Sequence, residues 1–219
     1  MKFATTAFSL MFLLFATMAQ AQNAEQNPEI DASAPNTTTF HLVPNPPFVA
    51  CLEDSSGLPP KATVVVVRGK RNDLLTLTFK HVKPGLAFDL FTVQHSPFLS
   101  NGTADPTFVN FGLAWYQSDV KANVFGTTLL FIKTILLDQI FGFDPAAALP
   151  PTNTFHVGFW FNDPQDAVAC GFDATKPTPF NGEHQAGPLA MISLPNATTG
   201  LGPLCTNPNT STVPATCNP

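Results

Sequence analysis

The sequence predicts an all-β protein, namely an antiparallel Greek-key or immunoglobulin-like β-sandwich of about eight strands with long loops. Two observations carry this prediction. The first is a segment in which apolar residues alternate strictly with others, TFHVGFWF at 154–161. The second is a content of 22 prolines, which suits many turns and is hard to accommodate inside helices. No repeat of fixed period is visible, which indicates one domain.

The segment 154–161 is the clearest strand. Because side chains along a strand point alternately to its two faces, one face is predicted to be apolar and to form the core. The opposite face carries smaller and polar groups together with one tryptophan. The apolar face comprises Phe155, Val157, Phe159 and Phe161, and the opposite face comprises His156, Gly158 and Trp160.

Further strands are predicted wherever short apolar or β-branched segments lie between turn residues. The segment 127–140 permits a helix by length, but its threonines and isoleucines favour a strand. The predicted strands lie at residues 40–43, 62–68, 75–79, 86–93, 108–117, 127–140, 155–161 and 189–194.

The N-terminus has the pattern of a secretory signal peptide. Lys2 precedes a short apolar core, and Ala19-Gln20-Ala21 matches a small-x-small cleavage site. The predicted organisation is a signal peptide at 1–21, a flexible leader at 22–39, a single β-sandwich domain at 40–198 and a cysteine-tethered tail at 199–219. The protein is therefore predicted to be secreted or periplasmic, with no transmembrane segment in the mature chain.

Charge excludes some classes of partner. The chain has 10 Lys and Arg against 15 Asp and Glu, so removing Lys2 with the signal leaves 9 against 15, a net charge of −6. Nucleic acids and anionic membranes attract basic surfaces, and neither is expected as a partner. The expected partner is an unidentified extracellular ligand or surface.

The four cysteines are expected to form two disulfides, because an even number in an exported chain is typical of disulfide bonding. Three pairings are open. One hypothesis joins Cys51 to Cys170 across the domain and Cys205 to Cys217 around a short tail loop. A zinc site is not favoured, since no CxxC pair is present.

No nucleophile elbow, HExxH, P-loop or dinucleotide-binding pattern is present. The sequence therefore favours a non-catalytic role without a cofactor. The alternative is an exported copper- or zinc-binding protein, in which His95, His156 and His184 converge on one ion. The competing interpretation is that these histidines make hydrogen bonds at strand ends and turns.

Two segments resemble the extracellular copper–zinc superoxide dismutases. Lys83-Pro84-Gly85-Leu86 before an apolar strand is similar to their turn before the copper-binding strand, and the segment 178–188 is similar to their zinc loop. The resemblance implies a Greek-key sandwich. It implies no dismutase activity, because Leu90 and Thr92 stand where that family has its His-x-His pair.

A ligand surface is predicted beside the strand 155–161. Trp160 lies next to Gly158, which leaves space for a ligand, and a carbohydrate-binding module is a second alternative. The competing interpretation places Trp160 under a loop. The long loop 162–188 is a third candidate, since loops of that length are often functional. The predicted ligand-binding residues are His156, Trp160, Asn181, Glu183 and His184.

Four Asn-x-Ser/Thr sequons fall in predicted loops or tails. They are glycan acceptors if the chain passes through a eukaryotic secretory route. They begin at Asn36, Asn101, Asn196 and Asn209.

Overall fold

In the computed structural model, long antiparallel strands form the body of the protein. The structure describes residues 37–69, 72–112, 114–134, 142–144, 149–152, 154–178, 185–205, 208–209 and 216–217. Eight of the described strands make up the main sheet: β1 (Thr37–Pro44), β2 (Lys61–Val67), β3 (Asp73–Lys80), β4 (Ala87–Val93), β5 (Ala114–Lys121), β6 (Thr128–Thr134), β9 (Thr154–Phe161) and β10 (Leu189–Ser193).

The other described elements are short. They are β7 (Gly142–Asp144), β8 (Leu149–Thr152), β11 (Leu204–Cys205), β12 (Pro208–Asn209), β13 (Thr216–Cys217), helix α1 (Val49–Leu52) and two 3-10 helices (Pro46–Phe48 and Pro164–Cys170). None of the described helices has the length and apolar character needed to cross a membrane.

The main sheet has the strand order β5-β4-β9-β10-β1-β2-β3-β6, and β11 adds to β9. All of these pairs are antiparallel. The end strands β5 and β6 are joined by a tight turn in which Asn123 N–H donates to Thr127 O at 3.0 Å, and the sheet is nearly closed into a barrel. The all-β prediction is confirmed. A two-sheet sandwich is not confirmed, because these strands belong to one continuous sheet.

The apolar face of β9 lies in the core, as the alternation predicts. Phe155, Val157, Phe159 and Phe161 are at most 1% exposed. The ring of Phe159 lies 4.7 Å from that of Phe88 and 6.1 Å from that of Phe79, measured between centroids. The centre of the molecule is therefore a cluster of phenylalanines contributed by β3, β4 and β9.

The opposite face of β9 is also buried, in a second apolar cluster. Trp160 is 0% exposed and makes edge-to-face contacts with Phe91 and Phe111, with centroids 5.5 and 5.1 Å away. Phe91 comes from β4 and Phe111 from the segment between β4 and β5. That segment therefore covers the outer face of the sheet at β4 and β9.

Among the fully described strands, β1 and β5 differ most from their predicted bounds, and the others differ by at most two residues at either end. β1 begins at Thr37, inside the predicted leader, because Thr37, Thr38 and Thr39 pair with the valines of β2. The predicted strand 108–117 is wrong for its first half, since β5 begins at Ala114. Asn110 Oδ1 accepts from Gly112 N–H at 2.8 Å, and Gly112 has φ +70°, so the backbone turns before the strand starts.

The 127–140 segment is a strand, β6, over 128–134; Thr127 belongs to the turn before it, and residues 135–140 lie outside the described ones. The signal peptide and residues 22–36 of the leader also lie outside, and both stay predictions. The predicted tail is not wholly separate from the domain, because Leu204 and Cys205 pair with β9 through β11.

A disulfide joins Cys51 in α1 to Cys170 at the end of the second 3-10 helix, with 6.1 Å between the Cα atoms. Phe48 beside α1 packs edge-on against Phe161 and Phe172. This pairing is the one hypothesised across the domain. The side chains of Cys205 and Cys217 fall outside the described part, so their pairing stays a prediction.

Candidate functional site

A cavity of about 950 Å³ opens at one end of β9. Thr154 and His156 of β9 form part of its lining. One wall comes from the segment that follows β4, residues 94–110, and the other comes from residues 195–202 after β10. The cavity therefore lies between two loops that the sheet holds at a fixed separation.

The first wall is held against the end of β4 by backbone hydrogen bonds. The N–H groups of Gln94 and His95 both donate to Phe111 O at 3.1 Å. At Gly112 an added Cβ would lie 2.2 Å from Gln94 Oε1, so a side chain there would collide with Gln94. Glycine thus lets the returning loop pass close over Gln94 and close this side of the cavity.

His156 is the best-defined polar group of the cavity. It is 3% exposed, and its Nδ1 lies 2.9 Å from Ser193 O and 3.2 Å from Ser193 Oγ. A carbonyl oxygen can only accept, so Nδ1 carries the proton and donates it. Ser193 Oγ in turn accepts from Val157 N–H at 3.1 Å. The neutral ring therefore keeps a lone pair on Nε2, for which the described residues provide no hydrogen-bond partner.

The charge state of the two cavity histidines follows from burial. Desolvation lowers the pKa of His156 to about 4, the hydrogen bond to Ser193 opposes this fall, and the nearby His95 adds to it. Partial desolvation also lowers the pKa of His95, although the residue is largely exposed to solvent. Both rings are therefore neutral at pH 7.

The structure brings together some predicted site residues and separates others. His95 and His156, two of the three histidines of the metal hypothesis, line the same cavity. The third, His184, lies outside the described residues, as do Asn181 and Glu183. Among the described residues, no three His, Cys, Asp or Glu side chains are grouped so as to hold a metal ion.

The burial of Trp160 corrects the prediction that its ring binds a ligand. A glycan-binding tryptophan needs an exposed ring face, whereas Trp160 is 0% exposed and enclosed by Phe91 and Phe111. The competing interpretation, that a loop covers this ring, describes what is found. Gly158 leaves no room for a ligand either, since an added Cβ would lie 3.1 Å from Ile192 Cγ1.

Apart from His95 and the sequon residue Asn101, the residues of the first cavity wall were not predicted from the sequence. Gln94, Ser96 and Phe98 line the cavity, and none was singled out. The signal that could have found them is loop length, because about twenty residues separate β4 from β5 and such connections are uncommon and often functional. Assigning residues 108–113 to a strand hid that length.

A second polar group has the side chains of a catalytic triad without its geometry. His81 Nδ1 lies 3.3 Å from Ser56 Oγ and 3.8 Å from Asp54 Oδ2. A triad histidine contacts its carboxylate with one ring nitrogen and the nucleophile with the other. Here both partners face the same nitrogen, so His81 cannot take a proton from Ser56 on one ring nitrogen while Asp54 holds the other.

Comparison with protein-family models, curated proteins and solved structures found no match for this chain.

The pH dependence of stability is expected to come partly from His156. Its pKa is about 4 in the folded protein and about 6.5 when unfolded, so the unfolded chain binds more protons between these values. Protonation of His156 in the unfolded chain therefore lowers the free energy of unfolding as the pH falls from 6.5 towards 4. Above pH 6.5 it has no effect on the free energy of unfolding. The difference amounts to about 3 kcal/mol. Urea unfolding between pH 4 and 7 measures it.

The control for this prediction is His41→Gln, because His41 is exposed. His156→Gln is expected to flatten the rise of the unfolding free energy between pH 4 and 6.5, whereas His41→Gln keeps it. Equal slopes in His156→Gln and the wild type would contradict the assignment, whatever the absolute stability of the variant.

Proposed function

We propose that this chain is a secreted, disulfide-stabilised β protein with a non-catalytic binding role outside the cytoplasm, and that its ligand enters the cavity lined by His156. The observation that carries the proposal is a cavity of about 950 Å³ whose lining includes a nearly fully buried imidazole with a fixed tautomer. A concave site with a few polar groups held in place by the fold is the usual form of a ligand-binding pocket.

Export is supported by the N-terminal pattern and by the Cys51–Cys170 disulfide. A Greek-key connection is supported by the strand order. β4, β5 and β6 follow one another in the chain, β5 and β6 approach each other where the sheet nearly closes, and β9 returns to lie beside β4. An Ig-like sandwich has no such support.

The lining favours an uncharged polar ligand. It contains amides, hydroxyls and the two neutral imidazoles, with Phe98, Phe108 and several aliphatic side chains as apolar surface, and no lysine or arginine among its described residues. Its one carboxylate, Asp105, already accepts from Thr107 N–H at 2.8 Å and from Thr107 Oγ1 at 2.7 Å. Hydroxyl and amide donors on a neutral ligand, such as a sugar, match this chemistry. This moves the carbohydrate-binding alternative from Trp160 to the cavity.

The second candidate is binding of copper or zinc by His95 and His156. It is supported by the hydrogen bond from His156 Nδ1 to a backbone carbonyl, an arrangement that orients metal-binding histidines. Two imidazoles are fewer than the three or four ligands that such sites use, so this candidate ranks below the neutral ligand.

The test is a pair of matched serine-to-tryptophan variants. Ser100 lines the cavity, whereas Ser55 is exposed elsewhere and does not. A panel of neutral mono- and disaccharides, and separately Cu²⁺ and Zn²⁺, is titrated into the tag-free protein and followed by ligand-observed NMR and calorimetry. We expect saccharide binding that is weakened at least tenfold in Ser100→Trp and unchanged in Ser55→Trp.

The metal arm separates the two candidates. Stoichiometric copper or zinc binding, lost in His156→Gln and in His95→Gln but kept in His41→Gln, would replace the neutral ligand by the metal. Absence of binding by every probe, or equal binding by both tryptophan variants, would contradict a ligand site in this cavity.

A further inference from the structure

We propose that Asn101 and Asn196 carry N-linked glycans at the mouth of the cavity. Both residues line it, both are exposed, and each begins an Asn-x-Thr sequon. The proposal rests on the export that is part of the proposed function. It adds that this export follows a eukaryotic secretory route. It does not rest on the identity of the ligand.

Asn101 lies at the tip of a tight turn. Gly102 N–H donates to Leu99 O at 2.9 Å, and Leu99 N–H donates to Thr103 O at 2.8 Å. Asn101 Oδ1 accepts from Thr103 N–H at 3.0 Å and from Thr103 Oγ1 at 2.7 Å. The oxygen is therefore engaged within the sequon, while the described residues provide no partner for Nδ2, the atom to which a glycan is joined.

Asn196 lies in a comparable turn on the other wall. Its N–H donates to Leu201 O and its carbonyl accepts from Gly200 N–H, both at 2.8 Å. Its Oδ1 accepts from the N–H groups of Thr198 and Thr199 at 2.8 and 3.1 Å. Here too the oxygen faces the following backbone, and Nδ2 has no partner in the described structure. Each turn can thus carry a bulky group without losing a hydrogen bond of the fold.

The two turns lie side by side. A Cβ built on Gly102, the residue after Asn101, would lie 4.0 Å from Leu194 Cδ1, two residues before Asn196. Glycans on both asparagines would therefore stand next to one another at the cavity mouth. They would obstruct the approach of a globular partner and leave access to a small molecule or a single extended chain.

Asn110 provides an internal control. It lines the same cavity, is exposed, and also forms a turn in which its Oδ1 accepts from the N–H two residues on, that of Gly112. It is followed by Phe111 and Gly112, so it has no hydroxyl residue at the required position. If the sequon determines which asparagine is glycosylated, Asn110 stays unmodified while Asn101 and Asn196 are modified.

The experiment is secretion of the full chain from a eukaryotic host, followed by peptide mass spectrometry. Enzymatic release of N-glycans in heavy-oxygen water converts each modified asparagine to labelled aspartate. We expect the label at residues 101 and 196 and none at residue 110. Thr103→Ala is expected to remove only the glycan on Asn101, and Thr103→Ser to keep it; Thr198→Ala and Thr198→Ser repeat the comparison for Asn196.

Three results would overturn the proposal. They are an exported chain with both asparagines unmodified, glycans confined to Asn36 and Asn209, and a glycan that persists on Asn101 in Thr103→Ala. Failure of export is distinguished by replacing residues 1–21 with the signal peptide of the host. If only that chimera is secreted, the export signal is at fault, and the chimera then decides whether Asn101 and Asn196 are acceptors.

Discussion

Replacing Phe159 with alanine is expected to lower the free energy of unfolding by about 3–5 kcal/mol. Phe159 is 0% exposed, and its ring packs against those of Phe88 and Phe79 at the centre of the core. Truncation removes the buried ring and leaves a cavity that the neighbouring side chains on β3 and β4 cannot fully close. Since domains of this kind are stable by about 5–15 kcal/mol, the loss is a large share of the total.

Urea unfolding followed by circular dichroism measures this change, and Phe125→Ala is the matched control. Phe125 is 80% exposed in the turn between β5 and β6, so its truncation is expected to change stability by no more than about 0.5 kcal/mol. Equal effects of the two substitutions would contradict a core centred on Phe159. Should Phe159→Ala fail to fold, Phe159→Leu, which keeps part of the apolar volume, gives a smaller loss in the same direction.

The strands and the residues that face the core were predictable because they depend on local periodicity. Alternation in 154–161 assigns Phe159 to one face and Trp160 to the other, and the valines of β2 favour a strand through their branched side chains. These patterns need no knowledge of the rest of the chain. The order of the strands in the sheet, and its near closure between β5 and β6, depend on long-range pairing that periodicity does not contain.

The candidate site was only partly predictable for the same reason. Periodicity places His156 and Trp160 on one face of β9, but it cannot say what covers that face. The answer lies in the segment after β4, where Phe111 closes over Trp160 while Gln94 and His95 begin the cavity wall. On this face Trp160 is therefore covered, whereas His156 lines a cavity. The difference depends on the path of the segment between β4 and β5.

Removing the disulfide in the double variant Cys51→Ala/Cys170→Ala is expected to be the other large change. The bond joins residues 119 apart in sequence, and in the chain-entropy model a loop of that size stabilises the fold by about 5 kcal/mol by restricting the unfolded chain. Measured losses for native disulfides run from about 2 to 5 kcal/mol. We therefore expect a loss in that range, measured by urea unfolding at constant pH.

The slope of the unfolding free energy against urea concentration tests whether the disulfide acts on the unfolded chain or only on packing around α1. Without the bond the unfolded state expands and exposes more surface, so the slope of unfolding free energy against urea should increase. Val168→Ala, a truncation of a 45% exposed side chain on the same 3-10 helix as Cys170, should change neither quantity by much. A double variant with wild-type stability and slope would mean that the cross-link adds nothing, and that Phe48 packing on Phe161 and Phe172 already holds α1 in place.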